Sequence, residues 1–217
     1  MELKDVKGST YIIESQEEEI KRIALELHEG ISQNLYSLYT GLEFIQSGLN
    51  EPHIKSYAKE LSDLMNRTIQ EVRTLSSELY PTSLSTLGLT AAVKNYGKLF
   101  TSTFGIIIYI ESTGKEKMIS EKEGASLFRS CQEALINIAK YADVAEASIC
   151  FNWEDEMLNI DIEDFGKGFN LQEVMGSNQF KGLAAVKQRM DMVGGECDLF
   201  SVEGKGTKVS LMLPIRG

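Results

Sequence analysis

Only three cysteines, Cys131, Cys150 and Cys197, occur in the 217 residues, and they are widely spaced with no CxxC pair among them. That argues against a disulfide framework and against a zinc site of the usual spacing, and leaves them as small, buried apolar residues. Long hydrophobic runs are missing as well: the longest, Phe104 to Ile110, is far too short to span a bilayer. The polar start, Met1 to Thr10, lacks the apolar core of a signal peptide, so the expected compartment is the cytoplasm. Positive charge is in deficit. With a formal net charge of -10 and no local basic patch, phosphate backbones would be repelled, which excludes a primary nucleic-acid binder. Histidine occurs twice, as His28 and His53.

What is present suffices for ordinary cores, since 42% of the residues are hydrophobic and the length allows one large domain or two small ones. Ile20, Ala24, Leu27, Ile31, Leu38 and Ile45 recur at spacings of about three and four, the stripe of a helix packed on other helices, within a helix expected from about Ile13 to Leu49. His28 lies beside that stripe, at the rim of a bundle. Asn50-Glu51-Pro52 breaks the helix and restarts it with proline in the first turn. Ile54, Ala58, Leu61, Met65, Thr68, Val72, Leu75 and Leu79 then keep heptad spacing until Pro81 stops the second helix. One antiparallel hairpin cannot bury both stripes, so two hairpins are expected to associate as a four-helix bundle, a homodimer.

After Pro81 strands alternate with helices, which marks a second domain, with boundaries expected at 1–82 and 83–217. Helices are predicted over Leu89 to Phe104, Ser120 to Ala142 (with a capping box from Ser120 and Glu123) and Gly182 to Val193. Strands are predicted over Ile106 to Glu111, Ala147 to Trp153, Leu158 to Asp164, Glu196 to Ser201 and Thr207 to Leu213. Leu158, Ile160 and Ile162 face inward and Asn159, Asp161 and Glu163 outward, so helices cover one face of the sheet. Gly166 to Lys181, glycine-rich and without periodicity, reads as a mobile loop.

Several residues carry chemistry. Glu133, Asn137 and Lys140 share one helix face, an acid, an amide and a cation suited to a metal-bound polyphosphate, with Asn137 as the Mg²⁺ ligand. Asp164-Phe165-Gly166-Lys167-Gly168-Phe169 ends a strand in a loop whose glycines let the backbone approach a ligand, while the carboxylate can accept from the exocyclic amine of adenine. Lys181-Gly182-Leu183 opens a helix with free N–H groups for phosphates, and Gly204-Lys205-Gly206-Thr207 forms a hairpin turn.

In this order the motifs resemble the sensor histidine kinases of the NarX and DesK type, over about Glu17 to Pro214. Glu26 to Gln33 is similar to the phosphoacceptor box, Gln132 to Ala142 to the N box, Asp164 to Phe169 to the first glycine box, Gly182-Leu183 with Arg189 to the second, and Gly194-Gly195 with Ser201 to Thr207 to the closing sequence. The sequence departs from the family pattern at Glu29, usually aspartate, at Tyr141, usually histidine, and at Phe180, usually glycine.

The resemblance implies an α+β protein: a dimerising helical hairpin followed by a GHKL (Bergerat) α/β sandwich with a mixed sheet, binding Mg-ATP beneath a flexible lid. It implies autophosphorylation of His28 and transfer to an aspartate of a response regulator. Catalytic roles fall to His28, Glu29, Gln33 and Glu133. Nucleotide contacts fall to Asn137, Lys140, Asp164, Gly166, Gly168, Lys181, Gly182, Leu183 and Thr207, with ATP and Mg²⁺ as cofactors. An imidazole with an ordinary pKa near 6.5 is neutral and nucleophilic at cytosolic pH. Glu29 would bond the far ring nitrogen, and Gln33 would orient a water for dephosphorylating the regulator. Two other classes are open: an ATP-binding phosphatase or scaffold without autokinase activity, and a GHKL protein phosphorylating a serine elsewhere. No input domain precedes residue 10, so the expectation is a fragment of a larger sensor or a kinase governed by another protein.

Overall fold

With no proline before position 52, nothing in the first segment forbids a continuous helix. It runs as α1 (Glu2–Leu25), a six-residue widened turn (Glu26–Ile31) and α2 (Ser32–Gly48), followed by α3 (Pro52–Leu79) with Pro52 in its first turn. The computed structural model describes residues 2–81, 83–170 and 178–215. Its contacts divide the chain into two units, residues 1–82 and 83–217.

In the first unit α3 packs back along α1 and α2. Its buried positions are Ala58, Ser62, Ile69 and Ser76, and three of these four are small enough to bring the helices close. Ser76 Oγ donates to the carbonyl of Ala24 at 2.8 Å, a buried bond between α3 and α1. Near it the Lys21 ammonium sits 5.7 Å from the centroid of the Tyr80 ring. The expected heptad stripe is only partly used here. Ile54 and Leu75 stay 51% and 52% exposed, because one hairpin covers one face of α3 and these positions lie on the next.

The widened turn corrects the first stripe. Its backbone bonds close over five residues instead of four, as where the N–H of Ser32 donates to Leu27 O. One extra residue per turn rotates everything that follows. Ile31, Leu38 and Ile45, expected inside, are 42%, 60% and 59% exposed, while the next residues, Ser32, Tyr39 and Gln46, are buried or half-buried.

The second unit holds α4 (Ser83–Leu87), α5 (Leu89–Phe104), β1 (Ile107–Thr113), α6 (Glu121–Asn137), a second widened turn (Ile138–Ala142), β2 (Glu146–Trp153), β3 (Met157–Asp164), α7 (Asn178–Met192), β4 (Glu196–Val202) and β5 (Gly206–Pro214). The strands lie in the order β1-β2-β3-β5-β4, with β1 and β2 parallel and the other pairs antiparallel. This is the mixed sheet expected from sequence. Alternation buries Ile149, Phe151, Leu158, Ile160, Leu211 and Leu213 at 1% exposure or less, beneath α5, α6 and α7. The opposite face is polar, with Asp161 accepting from Ser210 at 2.6 Å and pairing with Lys208 at 3.0 Å.

Three expectations change. Helix α7 begins at Asn178, inside the segment read as loop, and residues 171–177 of that loop lie outside the described residues. Cys150 is exposed on the polar sheet face, because strand parity sends it opposite Ile149 and Phe151. Cys131 does sit in the core, where burial pushes its thiol up to about 12, and Cys197 is half-buried. No helix of the described residues is long and apolar enough to cross a membrane.

Helix α6, which carries much of the candidate site, starts with the expected capping box: Glu123 N–H donates to Ser120 Oγ at 3.3 Å and Ser120 N–H to Glu123 Oε2 at 2.6 Å. Ser120→Ala is expected to cost about 1 kcal/mol, read as a lower urea midpoint for the second unit with an unchanged slope.

Candidate nucleotide site

Strand parity places the first functional group. Leu158, Ile160 and Ile162 point into the core, and the next residue of that parity is Asp164. A carboxylate therefore ends the buried stripe, 3% exposed. Its Oδ1 accepts the N–H of Gly166 at 2.9 Å. Burial raises its pKa above the ordinary 3.8, against the backbone donors of Gly166 and Thr207, which lower it. An ionised carboxylate this enclosed has acceptor capacity to spare for a donor arriving from the adjoining cleft.

The loop after Asp164 is held by main chain against main chain. Lys167 N–H donates to Ala142 O at 2.9 Å, Gly204 N–H to Lys167 O at 2.6 Å, and Phe169 N–H to Ser201 Oγ at 3.0 Å. Such approaches leave no room for side chains. A Cβ on Gly168 would strike Val202 O, and one on Gly206 would strike Asp164 O. Both residues also have positive φ, +56° and +88°. The turn between β4 and β5 thus backs the loop that borders the site, as well as being a hairpin turn.

The cleft, about 220 Å³, opens between this loop, the end of α6 and α7. Asn137, Asp164, Gly168, Leu183 and Thr207, all expected from sequence, line it together. Asn137 Nδ2 is buried with no hydrogen-bond partner, an orphaned polar group of the kind that a ligand satisfies. Glu133 and Gly182 stand behind Asn137. A Cβ on Gly182 would strike Glu133 Oε1 and come within 3.3 Å of Asn137 Nδ2. Gly182 therefore acts by letting α7 approach these side chains, and not by opening the helix, whose free N–H groups precede it. Gly166 packs on Ala142 rather than lining the cleft. Lys140 is exposed, and the side chain of Lys181 lies outside the described residues.

Residues not assigned a nucleotide contact from sequence complete the lining, Tyr141 among them, which the sequence marked as a departure from the family pattern. Ile138, Tyr141 and Ala142 belong to the second widened turn, which ends at Asp143 with φ +58°, the one positive-φ residue other than glycine among those described. Lys167 also lines the cleft, and its ammonium pairs with Asp143 at 2.8 Å, which holds that carboxyl below its usual range. Ile162 and Val209 supply an apolar floor. The alternation of β3 contained the signal for Ile162 and Asp164, whereas the widened turn has no periodic signature.

In the first unit His28 is half-buried within the widened turn, and its Nδ1 is enclosed with no hydrogen-bond partner. The ring is thus left with Nε2 as its open nitrogen. Glu29 and Gln33 are exposed. Since Nδ1 has no partner, the expected bond from Glu29 to the far ring nitrogen is not made in this structure.

Residues 19–84 match the family described as Histidine kinase, and residues 123–217 the family described as Histidine kinase-, DNA gyrase B-, and HSP90-like ATPase. The chain belongs to the sensor histidine kinases of the NarX type, with an ATPase unit of the GHKL kind. It is 32% identical over 203 residues to the Oxygen sensor histidine kinase NreB of Staphylococcus carnosus (strain TM300), a match covering 94% of this chain. The chain spans 58% of that relative's length. In fold it is similar to the histidine kinase domain of the blue-light activated histidine kinase EL346 of Erythrobacter litoralis, with a TM-score of 0.51 at 16% identity over 84% of this chain and 94% of that one. A longer structure of the same kinase gives a TM-score of 0.51 at 16% identity over 83% of this chain and 59% of that one.

Because the folded pKa of Asp164 is raised, the unfolded chain releases that proton first as pH rises, so this group costs stability above the ordinary carboxylate range. Asp164→Asn is accordingly expected to melt no lower than the wild type at pH 7. Its affinity for ATP, measured by calorimetry, should nevertheless fall about tenfold to a hundredfold with the loss of a charged acceptor.

Proposed function

We propose that the chain is the catalytic core of a two-component sensor kinase, which uses Mg-ATP to phosphorylate His28 and passes the group to an aspartate of a response regulator. The observation that carries this reading is the convergence of Asn137, with its orphaned amide, and the buried Asp164 on one cleft. Asp164 accepts from the exocyclic amine of adenine. Guanine has a carbonyl oxygen at that position, so the same carboxylate repels it and selects ATP over GTP.

The residues present fit a magnesium ion shared with phosphates. An amide turned about its last torsion exchanges Nδ2 for Oδ1, and one amide oxygen plus phosphate and water oxygens suits Mg²⁺. When bound, that ion offsets charge on the transferring group. Asn137 would hold it, Glu133 would assist at its waters, and Lys140, exposed at the rim, would neutralise phosphate charge.

His28 is the nucleophile in this reading. The Nε2 lone pair attacks the γ-phosphorus, the bond to the β,γ-bridging oxygen breaks, and ADP leaves with the electron pair. The ring then sheds its Nδ1 proton, and Glu29, one residue on, takes it once the imidazole turns outward. Gln33 orients the water that removes the phosphoryl group from the regulator. Activity requires a dimer: Ile31, Leu38, Ile45, Leu61 and Leu75 leave an apolar band on the hairpin that a second copy covers.

Labelled γ-phosphate from Mg-ATP is expected on the wild-type chain, lost in acid and stable in alkali, and absent from His28→Ala. Absence of label on a wild-type chain that binds ATP would sink the autokinase reading. Leu38→Glu combined with Ile45→Glu should convert a dimer to a monomer in sedimentation and reduce labelling at least tenfold.

A further inference from the structure

The widened turn at His28 is fastened by one side chain. Ser32 is 3% exposed, and its Oγ donates to Leu27 O at 2.9 Å, five residues back. The same oxygen also receives the Ser32 N–H. Where other helical hydroxyls bond to their own helix they reach three or four residues back, as Ser37 does to Gln33, Thr68 to Leu64 and Ser130 to Ser126. Ser32 instead reaches back five, within a helical segment. In an ordinary α-turn its partner would be the carbonyl of His28. The hydroxyl therefore distinguishes two registers, Leu27 O in the wide one and His28 O in the regular one. Gly30, the poorest α-former in the turn after proline's exclusion, lowers the cost of leaving the regular register.

The register decides how the histidine stands. The wide turn aligns His28 with the inner stripe of Ala24 and Ser32, encloses Nδ1 and leaves Nε2 open. A regular turn would bring Ile31, Leu38 and Ile45 toward the inner face and rotate the imidazole relative to everything downstream.

We infer that Ser32 is a positioning residue for phosphorylation of His28, holding the turn in the wide register that presents Nε2 to the phosphoryl donor. This rests on His28 being the phosphoacceptor. Two variants test it in the full chain, Ser32→Ala and deletion of Gly30, which removes the extra residue while keeping the flanking stripes in phase. Labelling rates are followed against ATP concentration. Ring ¹⁵N spectra are recorded in parallel, with His53, the second of two histidines, as the reference.

Ser32→Ala should label at least fivefold more slowly with its KM for ATP within about twofold of wild type, roughly the effect of one lost hydrogen bond. The ring signals of His28 should move while those of His53 stay. Deletion of Gly30 should keep helical content and move the same signals further. Labelling of Ser32→Ala at the wild-type rate, or slower labelling with unmoved His28 signals, would overturn the inference; should the deletion variant fail to fold, Ser32→Ala alone decides. A wild-type chain unlabelled at His28 refutes the phosphoacceptor reading instead, and the ring spectra still report whether Ser32 sets the histidine's orientation.

Discussion

A helix that takes one extra residue into a turn must rotate all that follows it, and the described residues accept that rotation twice. The first widened turn carries His28 and the second carries Tyr141 and Ala142 at the mouth of the cleft. Wide turns have poorer hydrogen-bond geometry than α-turns and persist where something else holds them. At the first, the Leu27 carbonyl receives both the N–H and the hydroxyl of Ser32. At the second, Asp143 takes the left-handed conformation, and the Ala142 carbonyl is occupied by the N–H of Lys167. The ion pair of Asp143 with Lys167 is largely exposed and adds little stability of its own. Its effect is geometric, since it ties the end of the turn to the glycine loop.

The second turn shows how the cleft is built. Helix α6 lies between two parallel strands and delivers Asn137 and then the widened turn to the end of β3, where Asp164 emerges. The loop after Asp164 is pinned between that turn on one side and the β4–β5 hairpin on the other. A buried carboxylate and an unpartnered amide are both costly in an otherwise satisfied core. Stability elsewhere offsets that cost, in a sheet whose Ile160, Leu158 and Leu211 are fully enclosed.

Much of this was legible from residue order. Period-two alternation in β3 places Asp164 on the inner face, Pro52 and Pro81 bound α3, and the Ser120 and Glu123 pair marks the start of α6. The widened turns were not legible, because every rule of helical periodicity assumes about 3.6 residues per turn, so Ile31, Leu38 and Ile45 were assigned to the wrong face. The role of Gly182 is hidden from local sequence for a different reason. The glycine is required by the side chains of Glu133 and Asn137, which are distant in sequence, whereas its local motif signals only a helix start. Composition alone puts cysteines inside, whereas the parity of its strand puts Cys150 on the polar face.

The fastening of the glycine loop has a kinetic side. The bonds that shape the cleft join Ala142 to Lys167, Lys167 to Gly204 and Phe169 to Ser201, pairs that meet only after the sheet has its register and the last hairpin is in place. Closing such long chain loops is slow relative to forming helices. On the proposed reading, nucleotide binding becomes a marker of completed assembly in this unit: partly folded chains have helices and strands but no finished cleft. A filled cleft in turn draws the folding equilibrium toward the finished form, by about 2.7 kcal/mol when ligand stands at a hundred times its dissociation constant.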